Sequence, residues 1–155
     1  MVKKKKEIII PEEKAVFRMD KHGRWVNRHG PFQHKKIIDY FHRSIRKDEH
    51  GYFLYQTDGD ISEKVYFRYE DTALFVFDII FGETIELVLN TGQKAAFEPE
   101  KLFVKNDGLY METGQDLIKF SERALLRLSG YLDFRNGRCF LNIGEEKIEL
   151  PIKSS

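Results

Sequence analysis

The chain has 155 residues, 41% of them hydrophobic and 33% charged, which fits one soluble globular domain or two small subdomains and excludes a disordered segment. Lys and Arg number 26 and Asp and Glu 25, so a formal charge of +1 gives no global argument for a polyanionic partner. A single cysteine, Cys139, excludes an internal disulfide framework and any multi-cysteine metal site, and suits a reducing cytoplasm.

Lys3 to Lys6 precede the apolar triplet Ile8, Ile9 and Ile10. A secretory core needs about 7 to 15 apolar residues, and Pro11, Glu12 and Glu13 cut this one short. Residues 1–13 are therefore expected to form a flexible, Lys-rich tail, and the protein is expected in the cytoplasm with no membrane partner. From Lys14, alternation of Val16, Arg18 and Asp20 against Phe17 and Met19 predicts a strand; a His22-Gly23 turn and a second strand from Arg24 to Arg28 complete a hairpin. Gly30-Pro31 opens a predicted helix whose apolar face carries Ile37, Ile38, Phe41 and Ile45. By phase, His34 joins that face as a half-buried histidine, and the helix ends at Lys47, Asp48 and Gly51. Strands follow near 52–57, 63–70 and 73–81, the first two joined across Asp58-Gly59.

Residues 83–100 read as an extra hairpin around Thr91-Gly92 that ends at Pro99. Then come strands at 101–106 and 109–113 around Asp107-Gly108 and a helix at 115–129, with Thr113 and Asp116 as its capping pair. Three short strands near 131–135, 138–143 and 146–152 close the chain, the first two joined by Asn136-Gly137. Gly23 and Trp25 match Gly108 and Tyr110 at an offset of 85, and Gly51 to Tyr55 match Gly130 to Phe134 at an offset of 79. The expected fold is thus α+β, with mostly antiparallel sheets and two similar strand-strand-helix-strand-strand-strand subdomains forming an internal repeat. The basic, His-rich N-terminal subdomain spans 14–82 and the acidic C-terminal one 83–153.

The total charge conceals an asymmetry. The first fifty residues hold 14 Lys and Arg against 7 Asp and Glu, a net of +7, together with all five histidines; the remainder carries −6. Within the basic part, Arg18, Arg24, Trp25, Arg28 and His29 interleave cations with an aromatic ring. Strand alternation places Arg24 and Arg28 on one hairpin face with Arg18, an arrangement suited to bidentate binding of a phosphate or carboxylate. Trp25 reads as facing the core with Phe17 and Met19, the alternative being an exposed stacking platform. Lys36 and Arg43 align on the polar side of the first helix as a second rim. Lys119, Arg123 and Arg127 form a similar stripe on the second.

No Gly-rich phosphate loop, dinucleotide fingerprint, His-Glu-x-x-His or Cys-x-x-Cys is present, so no cofactor, metal or catalytic residue is assigned. Cys139 reads as a packing residue whose pKa the adjacent Arg138 would lower slightly.

His22-Gly23-Arg24-Trp25, Gly30-Pro31 and the helix behind them, Asp48 to Tyr52, and Tyr69-Glu70-Asp71-Thr72-Ala73 together resemble the bacterial domain-of-unknown-function family 1285. The likeness runs from about Lys14 to Leu150 and departs where Leu74 stands in place of the family's usual proline. The resemblance implies an α+β protein with repeated motifs, no established enzymatic activity, and a suggested part in signalling. The function expected from the residues is a non-enzymatic binding module. It takes an anionic small molecule or an acidic protein surface on the basic half or in a cleft between the subdomains. The alternatives are nucleic-acid binding through the same half, a metal-dependent hydrolase built on the histidines, and a homo-oligomer pairing basic half with acidic half.

Overall fold

The computed structural model describes residues 6–154; the lysines at 3–5 lie outside the described residues. The chain divides into two compact units, Met1–Ala73 and Leu74–Ser155. The boundary falls at the start of the apolar strand expected near 73–81, which opens the second unit rather than closing the first. With the units so drawn, the first carries a net +4 and the second −3.

In the first unit the strands are β1 (Lys6–Ile10), β2 (Phe17–Met19), β3 (Trp25–Asn27) and β4 (Gly30–Pro31). The helix α1 (Lys35–Arg43) follows, then β5 (Ile45–Asp48), β6 (Gly51–Asp58), β7 (Ile61–Tyr66) and β8 (Arg68–Tyr69). They make two four-stranded sheets, ordered β1-β7-β6-β5 and β4-β3-β2-β8. Lys6–Ile10, expected within a flexible tail, instead pairs parallel to β7, and Glu12–Lys14 forms a 3-10 turn. Its isoleucines give the backbone a β-forming segment whose polar groups the edge of β7 satisfies. Phe67, 2% exposed, stands between β7 and β8, so the chain passes from one sheet to the other at a buried aromatic.

The helix is shorter than its periodicity suggested. Gly30-Pro31 does not open it but pairs with Val26 and Asn27 as an edge strand, where a missing proline N–H costs least. The helix begins at Lys35 after an exposed His34, which is therefore not on a buried face, and ends where Ser44 Oγ donates to the Tyr40 carbonyl at 2.6 Å. Ile45 belongs to β5.

Trp25 organises the core of this unit. Phe17, Phe41 and Phe67 meet its indole edge-on with centroids at 5.6, 5.4 and 4.9 Å, the geometry the ring quadrupole favours. Its Nε1 donates to His42 Nδ1 at 3.2 Å, which satisfies an indole N–H that is otherwise enclosed. His42 is 4% exposed. Burial pushes its imidazole pKa down to about 4, with Asp39 opposing the shift, so the ring stays neutral and Nδ1 keeps the lone pair that accepts the indole proton.

The second unit contains β9 (Leu74–Ile80), β10 (Glu86–Leu89), β11 (Lys94–Ala96), β12 (Leu102–Lys105), β13 (Gly108–Thr113) and β14 (Asp116–Phe120). Helix α2 (Glu122–Leu128), β15 (Leu132–Arg135), β16 (Arg138–Ile143) and β17 (Glu146–Leu150) complete it. A six-stranded sheet is ordered β11-β10-β9-β14-β13-β12, with β9 and β14 parallel, and β15-β16-β17 form an antiparallel meander. The hairpin near 83–100 is thus no separate insertion; β10 and β11 extend the sheet from β9.

The second helix is likewise shorter than expected. Residues 116–120 form a strand because Ile118 and Phe120, at 1% and 2% exposure, alternate with half-buried Leu117 and Lys119, a period of two rather than 3.6. Thr113 and Asp116 face each other across β13 and β14, and the true N-cap is Ser121, whose Oγ accepts from the Ala124 N–H at 3.2 Å. At the β12–β13 turn the left-handed residues are Asn106 and Asp107, with φ of 48° and 63°, while Gly108 already pairs with Lys105. Glycine is needed there for space: a Cβ on Gly108 would lie 3.0 Å from the Tyr110 ring.

In the first unit β2, β3 and β4 precede α1 and the antiparallel meander β5-β6-β7, and in the second β12, β13 and β14 precede α2 and the antiparallel meander β15-β16-β17. The likeness does not extend to sheet pairing: β2 takes β8 as its parallel neighbour, whereas in the second unit it is β14 that takes β9. Nor are Gly51 and Gly130 equivalent. Gly51 opens the middle strand of its meander, while Gly130 sits in the 3-10 turn Ser129–Tyr131 ahead of the first.

The depressed His42 value fixes the sign of an acid effect. The unfolded histidine, near 6.5, takes up its proton before the folded one, so the stability it contributes is complete above about pH 6.5 and is lost as pH falls towards 4. We expect a loss of about 3 kcal/mol over that interval in urea unfolding followed by Trp25 fluorescence. His42→Phe should cost about 1–3 kcal/mol at pH 7 by stranding the indole N–H, and should flatten the loss between pH 6.5 and 4. An unchanged pH profile in that variant would show that His42 is not the titrating group.

Candidate functional site

The sheet β4-β3-β2-β8 has two unlike faces. Its register pairs Phe17 with Asn27, Arg18 with Val26 and Met19 with Trp25, so Met19 and Trp25 point into the core while Arg18 and Val26 point out. Parallel pairing of β2 with β8 then sets Arg68 directly beside Arg18. Two guanidinium groups side by side on a ladder repel, and each is met by a carboxylate: Arg18 by Glu70 at 3.5 Å and Arg68 by Glu12 at 3.6 Å. All four side chains remain substantially exposed.

Over this outer face lies a pocket of about 870 Å³. Arg18, Arg68 and Arg28 line it, from β2, β8 and the β3–β4 turn, together with the apolar Val16 and Val26. His29 joins them: its Nε2 accepts from Arg28 Nε at 3.2 Å, and its backbone N–H donates to Asn27 Oδ1 at 2.8 Å. Glu12 and Glu13 line the pocket too, Glu12 beside Arg68. The pocket is suited to an anion with an apolar part: guanidinium forks bind carboxylate or phosphate, and Val16, 81% exposed, gives up apolar surface to a ligand.

Arg18, Arg28 and His29, singled out in the sequence, are brought together. Arg24 is not: its Nε donates to Asp20 Oδ2 at 2.9 Å, and it does not line the pocket. Alternation fails for Arg24 because it lies in the turn, before β3 begins at Trp25. Trp25, 1% exposed with its nitrogen bonded to His42, occupies the core and cannot act as an exposed stacking platform. Lys36 and Arg43 are exposed on α1 and do not line the pocket; Arg43 Nε turns back to the Asp39 carbonyl at 3.4 Å. Arg68 was missed, since its place beside Arg18 depends on a parallel pairing between segments fifty residues apart.

Asp20, 7% exposed, fastens the β2–β3 turn. Its Oδ1 accepts from the backbone N–H groups of His22 and Arg24, each at 2.9 Å. Burial alone would raise its pKa, but these bonds and the Arg24 guanidinium hold the carboxyl below its usual range.

Other candidate chemistry is dispersed. Among the described residues no three His, Cys, Asp or Glu side chains are grouped to hold a metal, and no helix is long and apolar enough to cross a membrane. Cys139 is fully buried, and burial together with Asp133 raises its thiol pKa rather than lowering it; Arg138 is instead paired with Glu149. In the second unit Arg123 and Arg127 both bind Asp78, and Lys119 lies on β14 rather than on the helix, so the expected cationic stripe is not continuous.

The two units define an α+β protein with antiparallel-dominated sheets. Two solved structures share this fold, both of DUF1285 family proteins. One, from Silicibacter pomeroyi DSS-3, superposes over 92% of this chain and 82% of its own with a TM-score of 0.60 and 14% identity. The other, from Shewanella baltica OS155, covers 77% of this chain and 94% of its own with a TM-score of 0.54 and 17% identity. At these identities the likeness is one of fold. No protein-family model matches the chain, and neither does any curated protein.

Replacing Asp20 by Ala removes the acceptor for two turn N–H groups and for the Arg24 guanidinium. We expect a loss of about 1–3 kcal/mol in chemical denaturation at neutral pH, with Asp20→Asn recovering part of it. A neutral effect of Asp20→Ala would show that the turn holds without its carboxylate.

Proposed function

We propose that this protein is a non-enzymatic binding module whose first unit takes a small anionic ligand with an apolar part in the Arg18–Arg28–Arg68 pocket. The observation that carries this reading is the side-by-side placement of Arg18 and Arg68, with Arg28 and the apolar Val16 and Val26 lining the same pocket. Juxtaposed like charges cost free energy, and a bound carboxylate or phosphate relieves that cost while displacing Glu12 and Glu70 from their long, exposed contacts. A role in signalling, as the family resemblance implies, fits a protein that senses such a ligand without transforming it.

Nucleic acid is the less favoured partner. The three arginines share one pocket with two glutamates, whereas a polyanion track needs several phosphate contacts along a continuous basic surface.

Isothermal titration with short-chain carboxylates and aryl phosphates tests the proposal. Arg18→Ala and Arg68→Ala should each weaken binding by about tenfold, the effect of losing one charge-assisted contact. Lys36→Ala and Arg43→Ala should bind as the parent does. Equal losses from all four substitutions would indicate general electrostatics, and absence of binding to every anion would remove the proposal.

A further inference from the structure

The meander β15-β16-β17 ends on β15, an edge strand with β16 on one side only. Its register pairs Leu132 with Leu141, Asp133 with Phe140, Phe134 with Cys139 and Arg135 with Arg138. Phe134 therefore shares a sheet face with Cys139, Leu141 and Leu150, which are 0%, 0% and 2% exposed, yet is itself 66% exposed. The row of buried apolar side chains thus runs off the edge of the sheet at a phenylalanine that is largely exposed. Tyr131 and Leu126, 39% and 76% exposed, add apolar surface on the segment leading into β15.

The backbone at this edge is also fixed. Asn136 and Gly137 both have positive φ, 52° and 76°, as a two-residue type I′ hairpin requires. In such a hairpin the flanking pair, here Arg135 and Arg138, exchanges both hydrogen bonds, and the alternation then turns the N–H and C=O of Phe134 outward. A second strand laid antiparallel about Phe134 would receive both. That pairing is its own complement: Phe134 meets Phe134 of the second copy, and Asp133 meets Arg135 in both directions. Asp133 and Arg135 already lie on one face, 2.9 Å apart, so the two copies would form a ring of alternating charges. Charged residues on an edge strand normally repel an added strand; these two are spaced so that antiparallel pairing about Phe134 sets opposite signs against each other twice.

We propose that β15 is a dimerisation edge whose partner is a second copy of this chain, paired antiparallel about Phe134 with Asp133 opposite Arg135. The interface is isologous, so it closes at two copies. It uses no residue of the anion pocket, and either proposal can fail without the other.

The full chain should show a concentration-dependent monomer–dimer equilibrium by sedimentation or light scattering in the micromolar to millimolar range. Phe134→Asp should abolish the dimer. Asp133→Arg should also yield monomer, and the double variant Asp133→Arg with Arg135→Asp should restore dimer, because the swap preserves the complement. Circular dichroism matching the parent identifies each variant as folded. A parent that stays monomeric throughout, a folded Phe134→Asp variant that still dimerises, or a folded double variant that fails to recover would overturn the proposal.

Discussion

The hydrogen bond between Trp25 Nε1 and His42 Nδ1 is the constraint on which the first unit rests. It joins the middle of a short sheet to the last turn of the only α-helix among the described residues of that unit, and it holds only while the imidazole is neutral. Around it Phe17, Phe41 and Phe67 supply contact area from β2, from α1 and from the junction of the two sheets. Two- and three-residue strands hold little stability of their own. Here they are positioned by what their inward side chains bury, and so their outward side chains are positioned as well.

The outer face inherits its chemistry from that arrangement. Because Met19 and Trp25 must point inward, Arg18 and Val26 must point outward, and the sheet crossing at Phe67 delivers Arg68 beside Arg18. Glu12 and Glu70 moderate the repulsion through exposed contacts that a ligand can replace at low cost. The charge asymmetry of the chain is milder by structural unit, +4 against −3, than by its first fifty residues. What distinguishes the first unit is therefore less its net charge than three arginines lining one pocket.

Much of the fold was legible in the sequence. Most strands fall within a few residues of where alternation placed them, and Asn136-Gly137 turns as its dipeptide demands. Errors gathered where one pattern serves two structures. Residues 116–120 continue smoothly into a helical sequence, and only the buried pair Ile118 and Phe120 reveals a strand. Gly30-Pro31 suits a helix start as well as a sheet edge, and the neighbour that decides between them is β3. Of the candidate site, Arg18, Arg28 and His29 were legible because they lie on one hairpin; Arg24 was misplaced by a single residue of strand boundary.

The sequence by itself determined the α+β class, the sites of most strands and turns, and the concentration of cationic side chains in the first third of the chain, because these depend on local periodicity, turn conformation and composition. Only the tertiary structure decided which cations meet. Arg68 reaches Arg18 through a parallel pairing, His42 accepts the Trp25 hydrogen bond across seventeen residues, and β1 finds the edge of β7. Each of these depends on burial and on backbone groups seeking distant partners, and contacts of that kind leave no periodic mark on the chain.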